Sequence, residues 1–172
     1  KDEIAELCRW FNALMDKVHA ALSDVAIYKN LVDNISDPIF AVDKDFRILV
    51  ANTAMRDIAG CPADEIGSRT CQSILNTSLC GTSSCPIRQV MDTGRSCTSD
   101  IIEIDVRGRS WNIQPLGGVL RDMDNSTIGY FEIARDVTAL VERERVLQAA
   151  MTRMEDVNAR ILRVAQAVSR AS

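Results

Sequence analysis

Apolar residues recur every seven positions at both ends of the chain and every two in its middle, and this change of period divides it into three segments. Over roughly 1–34, Ile4, Phe11, Val18 and Val25 form one row, and Cys8, Met15 and Leu22 form a second row four residues on. Two such rows, over more than three heptads free of Gly and Pro, predict a helix whose narrow stripe meets a partner helix rather than its own domain. Over roughly 139–172, Leu140, Leu147, Met154, Ile161 and Val168 repeat the spacing, interleaved with Met151 and Ala165. Glu144 and Asn158 interrupt this seam, as single polar seam residues do where register is set at some cost in stability. The charged flank "VERERVLQ" reads as a solvated face. Seams at opposite ends of a small domain predict a parallel homodimer with helices entering and leaving it.

Residues 35–138 change character. "DPIFAVDKDFRILVAN" places two short apolar runs around Asp43-Lys44-Asp45 and predicts a hairpin. "TAMRDIAGCPADEIGSRTCQSIL" shows short helical patches punctuated by Gly60, Pro62 and Gly67. "CPIRQVMDTG" predicts a short helix with Pro86 in its first turn and Gly94 as its stop. Three strand-like runs follow: "SDIIEIDV", "SWNIQPLGGVL" and "IGYFEIARDV", with turns at Gly108 and at Asp124-Asn125. Two strands, small helices and then three strands predict an α+β domain with an antiparallel sheet.

Composition narrows the function. The 172 residues are 47% apolar, enough for one core, and the net charge of -4 leaves no basic footprint for nucleic acid or a membrane surface. No apolar run is long enough to span a bilayer, and the start "KDEIAELCRW" is not a signal peptide; it also lacks an initiator Met, so the chain reads as a fragment of a longer one. The sole histidine, His19, lies beside seam positions Val18 and Leu22, where it reads as a solvated or interface residue. A phosphate loop, a haem-attachment motif and a Ser/His/Asp set are all missing from the middle domain, so catalysis is not expected.

The window "CQSILNTSLCGTSSCPI" holds Cys71, Cys80 and Cys85, half of the 6 cysteines. Three readings stand side by side. The thiols can simply pack, since free Cys is among the most buried residue types. Cys80 and Cys85, joined by the turn "CGTSSC", can form a reversible redox pair, with the start of the following helix lowering the Cys85 thiol pKa. Alternatively Cys71, Cys80 and Cys85, with Cys61 or Cys97 as a fourth thiolate, can hold zinc or an iron–sulfur cluster. The spacing matches neither family of metal signatures. The redox pair asks least of the fold, because a metal needs further donors placed by it.

The middle segment resembles a PAS domain. The likeness rests on "ISDPIFAVDKDFRILVAN" with Asn52 opening the first helix, then "AGCPADEIGS", and finally "ARDVTAL", similar to the Asp-x-Thr junction that leads PAS domains into an output helix. It implies a five-stranded antiparallel PAS sheet with short helices, flanked by coiled-coil helices at 1–34 and 139–172. It further implies Asp136 and Thr138 as the signal junction, with Thr138 a helix N-cap and Asp136 a brace. A ligand pocket beside residues 71–97 is also implied, with Cys71, Arg69, Trp111 and Asn112 as candidate contacts for a small molecule. "DEIAELCRWFNALMDKV" looks like the second helix of a HAMP domain. "LQAAMTRMEDVNARILRVAQAVSRAS" is similar to the opening of the chemoreceptor signalling helix. The implied parent is a membrane-anchored chemoreceptor on the cytoplasmic side of a bacterial inner membrane, relaying redox state or a small ligand to kinase-control machinery. A sensor histidine kinase parent and a ligand-free dimerising spacer are the alternatives. "GSRTCQSIL" also resembles the Cys-bearing helix of LOV photosensors, but the surrounding flavin contacts are missing, and haem would have no histidine ligand in the domain.

Overall fold

The computed structural model describes residues 2–171. A single helix, α1 (Asp2–Asp33), leads into the hairpin β1 (Ile39–Val42) and β2 (Ile48–Ala51). Asp43 closes that hairpin: its Oδ1 accepts from the N–H of Asp45 at 2.8 Å and of Arg47 at 2.9 Å. Four helices follow, α2 (Thr53–Ala59), α3 (Ala63–Ile66), α4 (Cys71–Leu75) and α5 (Pro86–Thr93). Pro86 opens α5 and Gly94 ends it in the left-handed conformation at φ 65°. Then come β3 (Cys97–Thr98), β4 (Ile102–Val106), β5 (Arg109–Arg121), β6 (Thr127–Asp136) and the long α6 (Thr138–Ala171).

The sheet is antiparallel, in the order β2-β1-β6-β5, with β3 and β4 both pairing β5. It has six strands where the sequence predicts five, because Cys97–Thr98, just ahead of the run "SDIIEIDV", form a short strand of their own. Thr98 faces Leu116 and Ile102 faces Ile113, so four residues on one strand match three on the other. The extra residue breaks the ladder between β3 and β4. Arg107 and Gly108, both at positive φ, make the tight turn from β4 to β5.

One face of the sheet is covered by α2–α5, and Phe40, Val42, Ile48, Met55, Ile87 and Ile113 are buried between them. Helix α5 lies close on β5. A Cβ at Gly117 would sit 3.0 Å from Val90 Cγ2 and 3.2 Å from the Pro86 carbonyl, so a side chain there would require α5 to shift by a few tenths of an ångström.

The seam residues of the end helices remain uncovered. Phe11 is 55% and Leu147 65% exposed, and Ile4, Val18, Leu140, Met151, Met154 and Ile161 are also exposed. The Val168 side chain, the last position of the C-terminal seam, lies outside the described residues. No described helix is long and apolar enough to cross a membrane.

Candidate functional site

Both long helices are tied to the same part of the domain. At the exit, Thr138 Oγ1 accepts from the Asn112 N–H on β5 at 2.9 Å, and the Val137 N–H donates to the Asn112 carbonyl at 2.9 Å. Asp136 Oδ1 accepts from the Thr138 N–H at 2.9 Å, so the orphan donor at the start of α6 is satisfied by Asp136. Thr138 therefore does not cap its own helix. Its hydroxyl is turned onto the sheet, because the strand before α6 runs alongside β5 and brings a free N–H within reach. At the entrance, the buried Asn52 is the hub. Its Nδ2 donates to the carbonyls of Val32, Ile35 and Asp37 at 3.2, 3.2 and 2.9 Å. Its Oδ1 accepts from Ile39 and Met55, which fastens β1 and caps α2. Asp33, on the last turn of α1, pairs with Arg56 at 3.3 Å and accepts from the Thr53 N–H. Entrance meets exit where Asp37 Oδ1 accepts from the Asp136 N–H at 3.0 Å.

The cysteine window folds against the inner face of the sheet. Cys71 begins α4 and is buried, Cys85 directly precedes α5 and is buried, and Cys80 is half-buried in the intervening turns. That loop is a chain of turns: Cys80 N–H to the Thr77 carbonyl, Thr82 to Leu79 and Cys85 to Thr82. The Cys97 thiol donates to the Pro86 carbonyl at 3.4 Å. All six cysteines are free thiols, so Cys80 and Cys85 are not bonded here. The alternative metal set of Cys71, Cys80 and Cys85 is not formed. Among the described residues no group of three or more His, Cys, Asp or Glu is placed to hold a metal ion. The three thiols are neighbours, at a helix start, in a turn and just before a second helix, with Cys71 and Cys85 buried and Cys80 half-buried.

The electrostatics also run against the sequence expectation for Cys85. Its thiol is pushed up, first by burial, which outweighs the stabilising N–H groups of Arg88 and Ile87 at the head of α5. Cys71 is pushed up to about 12, chiefly by burial and then by Glu132, Cys85 and Cys80. Burial likewise raises Cys97. Glu132, on which the sequence pattern places no emphasis, is the source of the shared negative potential. Alternation along β6 turns Tyr130, Glu132 and Ala134 inward, and Glu132 is only 7% exposed. Burial pushes its carboxyl up to about 7.

The remaining candidates are scattered. Arg69 is exposed. Trp111 packs at the margin of the core, with the Arg109 guanidinium 3.9 Å from its ring centroid. It lines an open cleft of about 690 Å³ shared with Asp33, Asp57, Ile58 and Arg107. Asn112 alternates with Trp111 and Ile113, which places it on the other face of β5, where its backbone serves the α6 junction. The structure thus brings Cys71, Cys80 and Cys85 together, and leaves Arg69 and Asn112 apart from them.

The PAS fold family profile matches residues 32–142. The chain matches no curated protein sequence. Among solved structures it is similar to an RNA-binding light-oxygen-voltage receptor, at 22% identity and TM-score 0.57, over 74% of this chain and 37% of that one. The PAS domain of an HTR-like protein from Haloarcula marismortui matches at 13% identity and TM-score 0.55, over 71% of this chain and 98% of that one. A PAS domain from Colwellia psychrerythraea matches at 14% identity and TM-score 0.54, over 67% and 98%. At these identities the likeness is one of fold, and the chain spans little more than a third of the light-oxygen-voltage receptor.

Proposed function

The chain belongs to the PAS fold family, and from that premise we propose that it is a signal-relay module without catalysis of its own. It works as a homodimer through α1 and α6, inside a chemoreceptor held on the cytoplasmic side of a bacterial inner membrane by segments outside this chain. The output goes to kinase-control machinery. One observation supports the relay most directly: α6 is hydrogen-bonded to β5, α1 is hydrogen-bonded to Asn52 and to the first turn of α2, and the two ties meet where Asp37 accepts from Asp136. A shift of β5 or β6 moves the base of α6, because Asn112 holds Thr138 by its N–H and Val137 by its carbonyl. The exposed rows on α1 and α6 support the dimer, since apolar stripes of this length are costly in water. Of the two stimuli compatible with the cysteine window, the raised thiol pKa values favour a small ligand over redox chemistry, because the thiolate is the reactive form.

The test uses a Leu147→Cys reporter on α6. Its cross-linking rate between protomers is expected to change when Asp37→Ala or Thr138→Val cuts the junction. Unchanged cross-linking in both would overturn the relay. Light scattering that finds only the 19.0 kDa chain mass at micromolar concentration would overturn the dimer.

A further inference from the structure

The interior of the domain carries polar groups that the fold itself does not use. Glu132 sits mid-strand on β6, opposite Phe40 on β1 and Gly117 on β5, neither of which offers a hydrogen bond from its side chain. Among the described residues its carboxyl has no side-chain hydrogen bond, and all three ion pairs lie elsewhere. The titratable groups that face it are Cys71 on α4, Cys85 at the head of α5 and Cys97 on β3, each a neutral thiol at physiological pH. No cation is supplied from any of these elements. On the same face, Ser99 follows Cys97 by two residues, and its Oγ is buried without a partner.

A buried, unpaired carboxylate costs several kcal/mol in principle, and proteins ordinarily pair or remove such groups. Here the carboxylate and the hydroxyl both lack a donor. A buried water would satisfy a hydrogen bond and leave the charge uncompensated. A metal would need three protein donors in ligand geometry, and among the described residues no three His, Cys, Asp or Glu are so placed. A small organic cation would satisfy both requirements, since its N–H groups donate and its charge neutralises. Gly117, opposite Glu132 on β5, carries no side chain, and Val90 and the Pro86 carbonyl at the head of α5 lie over it. The largely exposed turns from Asn76 to Ser84 border the site through Cys80.

We propose that the space between the inner face of the sheet and α4–α5 binds a small organic cation with an ammonium or amidinium head, anchored by the Glu132 carboxylate with Ser99 Oγ as second acceptor. This deepens the sensor reading by giving the ligand its chemical class, and it rests on that reading. Binding next to Gly117 and Cys97 would act directly on β5, the strand that holds the base of α6.

The experiment compares near-isosteric pairs on the intact chain by calorimetry and thermal shift: benzamidine against benzamide, and benzylamine against benzyl alcohol. The cation of each pair is expected to bind and the neutral member to bind at least tenfold more weakly. Protons compete for the carboxylate, so affinity at pH 5.5 is expected to be roughly thirtyfold below that at pH 8. Glu132→Gln should abolish the preference for the cation, and Ser99→Ala should weaken binding while keeping it. Equal binding of charged and neutral members, no binding of either, or unchanged preference in Glu132→Gln each overturn the proposal. Because the paired ligands are compared on unaltered protein, their difference in affinity stays decisive even if a variant misfolds. The junction cross-linking test is independent, so the relay can survive the loss of this ligand class.

Discussion

Replacing Glu132 by Gln isolates the cost of a carboxylate inside this core. The side chain is 7% exposed and its carboxyl is raised from 4.5 to about 7 by burial. A carboxyl whose folded pKa exceeds its unfolded one contributes stability that is fully present below pH 4.5 and is lost as pH rises through about 7. The interval of about 2.5 pH units, at 1.36 kcal/mol each, corresponds to a loss of about 3 kcal/mol by pH 8. Gln keeps the shape and cannot ionise. The variant should therefore match the wild type near pH 4.5 and exceed it by about 3 kcal/mol at pH 8, or ~6–12 °C in Tm for a chain of this size. Urea unfolding followed by Trp fluorescence at several pH values, at one protein concentration, gives the difference directly. Other carboxylates add their own slopes to both proteins and cancel in that difference. Parallel curves for the two proteins would refute the reasoning, because they would mean that Glu132 is solvated or paired.

Three further outcomes follow from the junction and the thiols. Asn52→Ala removes the cap of α2 and the side-chain donor to the carbonyls of Val32, Ile35 and Asp37; a loss of about 2–4 kcal/mol is expected in thermal melts, and less than 1 kcal/mol would contradict the hub. Thr138→Val leaves the Asn112 N–H unmet, at about 1–2 kcal/mol, and hydrogen exchange should rise in the first turns of α6 while core strands β5 and β6 keep their protection. Iodoacetamide at neutral pH should label exposed Cys8 in native protein and spare Cys71 and Cys85, whose burial and raised pKa disfavour the thiolate; rapid labelling of either by mass spectrometry would reopen the redox reading.

Much of the architecture is local and therefore readable from the chain. Heptad rows specify α1 and α6, Asp43 and Asp122 specify turns through their own side chains, and Pro86 with Gly94 brackets α5. The order of these elements is enough to suggest the PAS family. What the chain does not reveal are choices made by residues far apart in sequence. In "GYFEIAR" the apolar Phe131 and Ile133 share one face of β6 and Glu132 takes the other, so period-two reasoning points the carboxylate outward. Pairing with β1 and β5 instead turns Tyr130, Glu132 and Ala134 toward α4 and α5, since the inner face is defined by Phe40, Val42 and Ile113 across the ladder. Likewise the hydroxyl of Thr138 has the local setting of a cap, yet β5 supplies Asn112 from 26 residues away and takes it. The cysteine cluster is evident as a spacing, but whether thiols meet, ionise or merely pack depends on burial. That is a property of the assembled sheet and helices, which no window of seventeen residues contains.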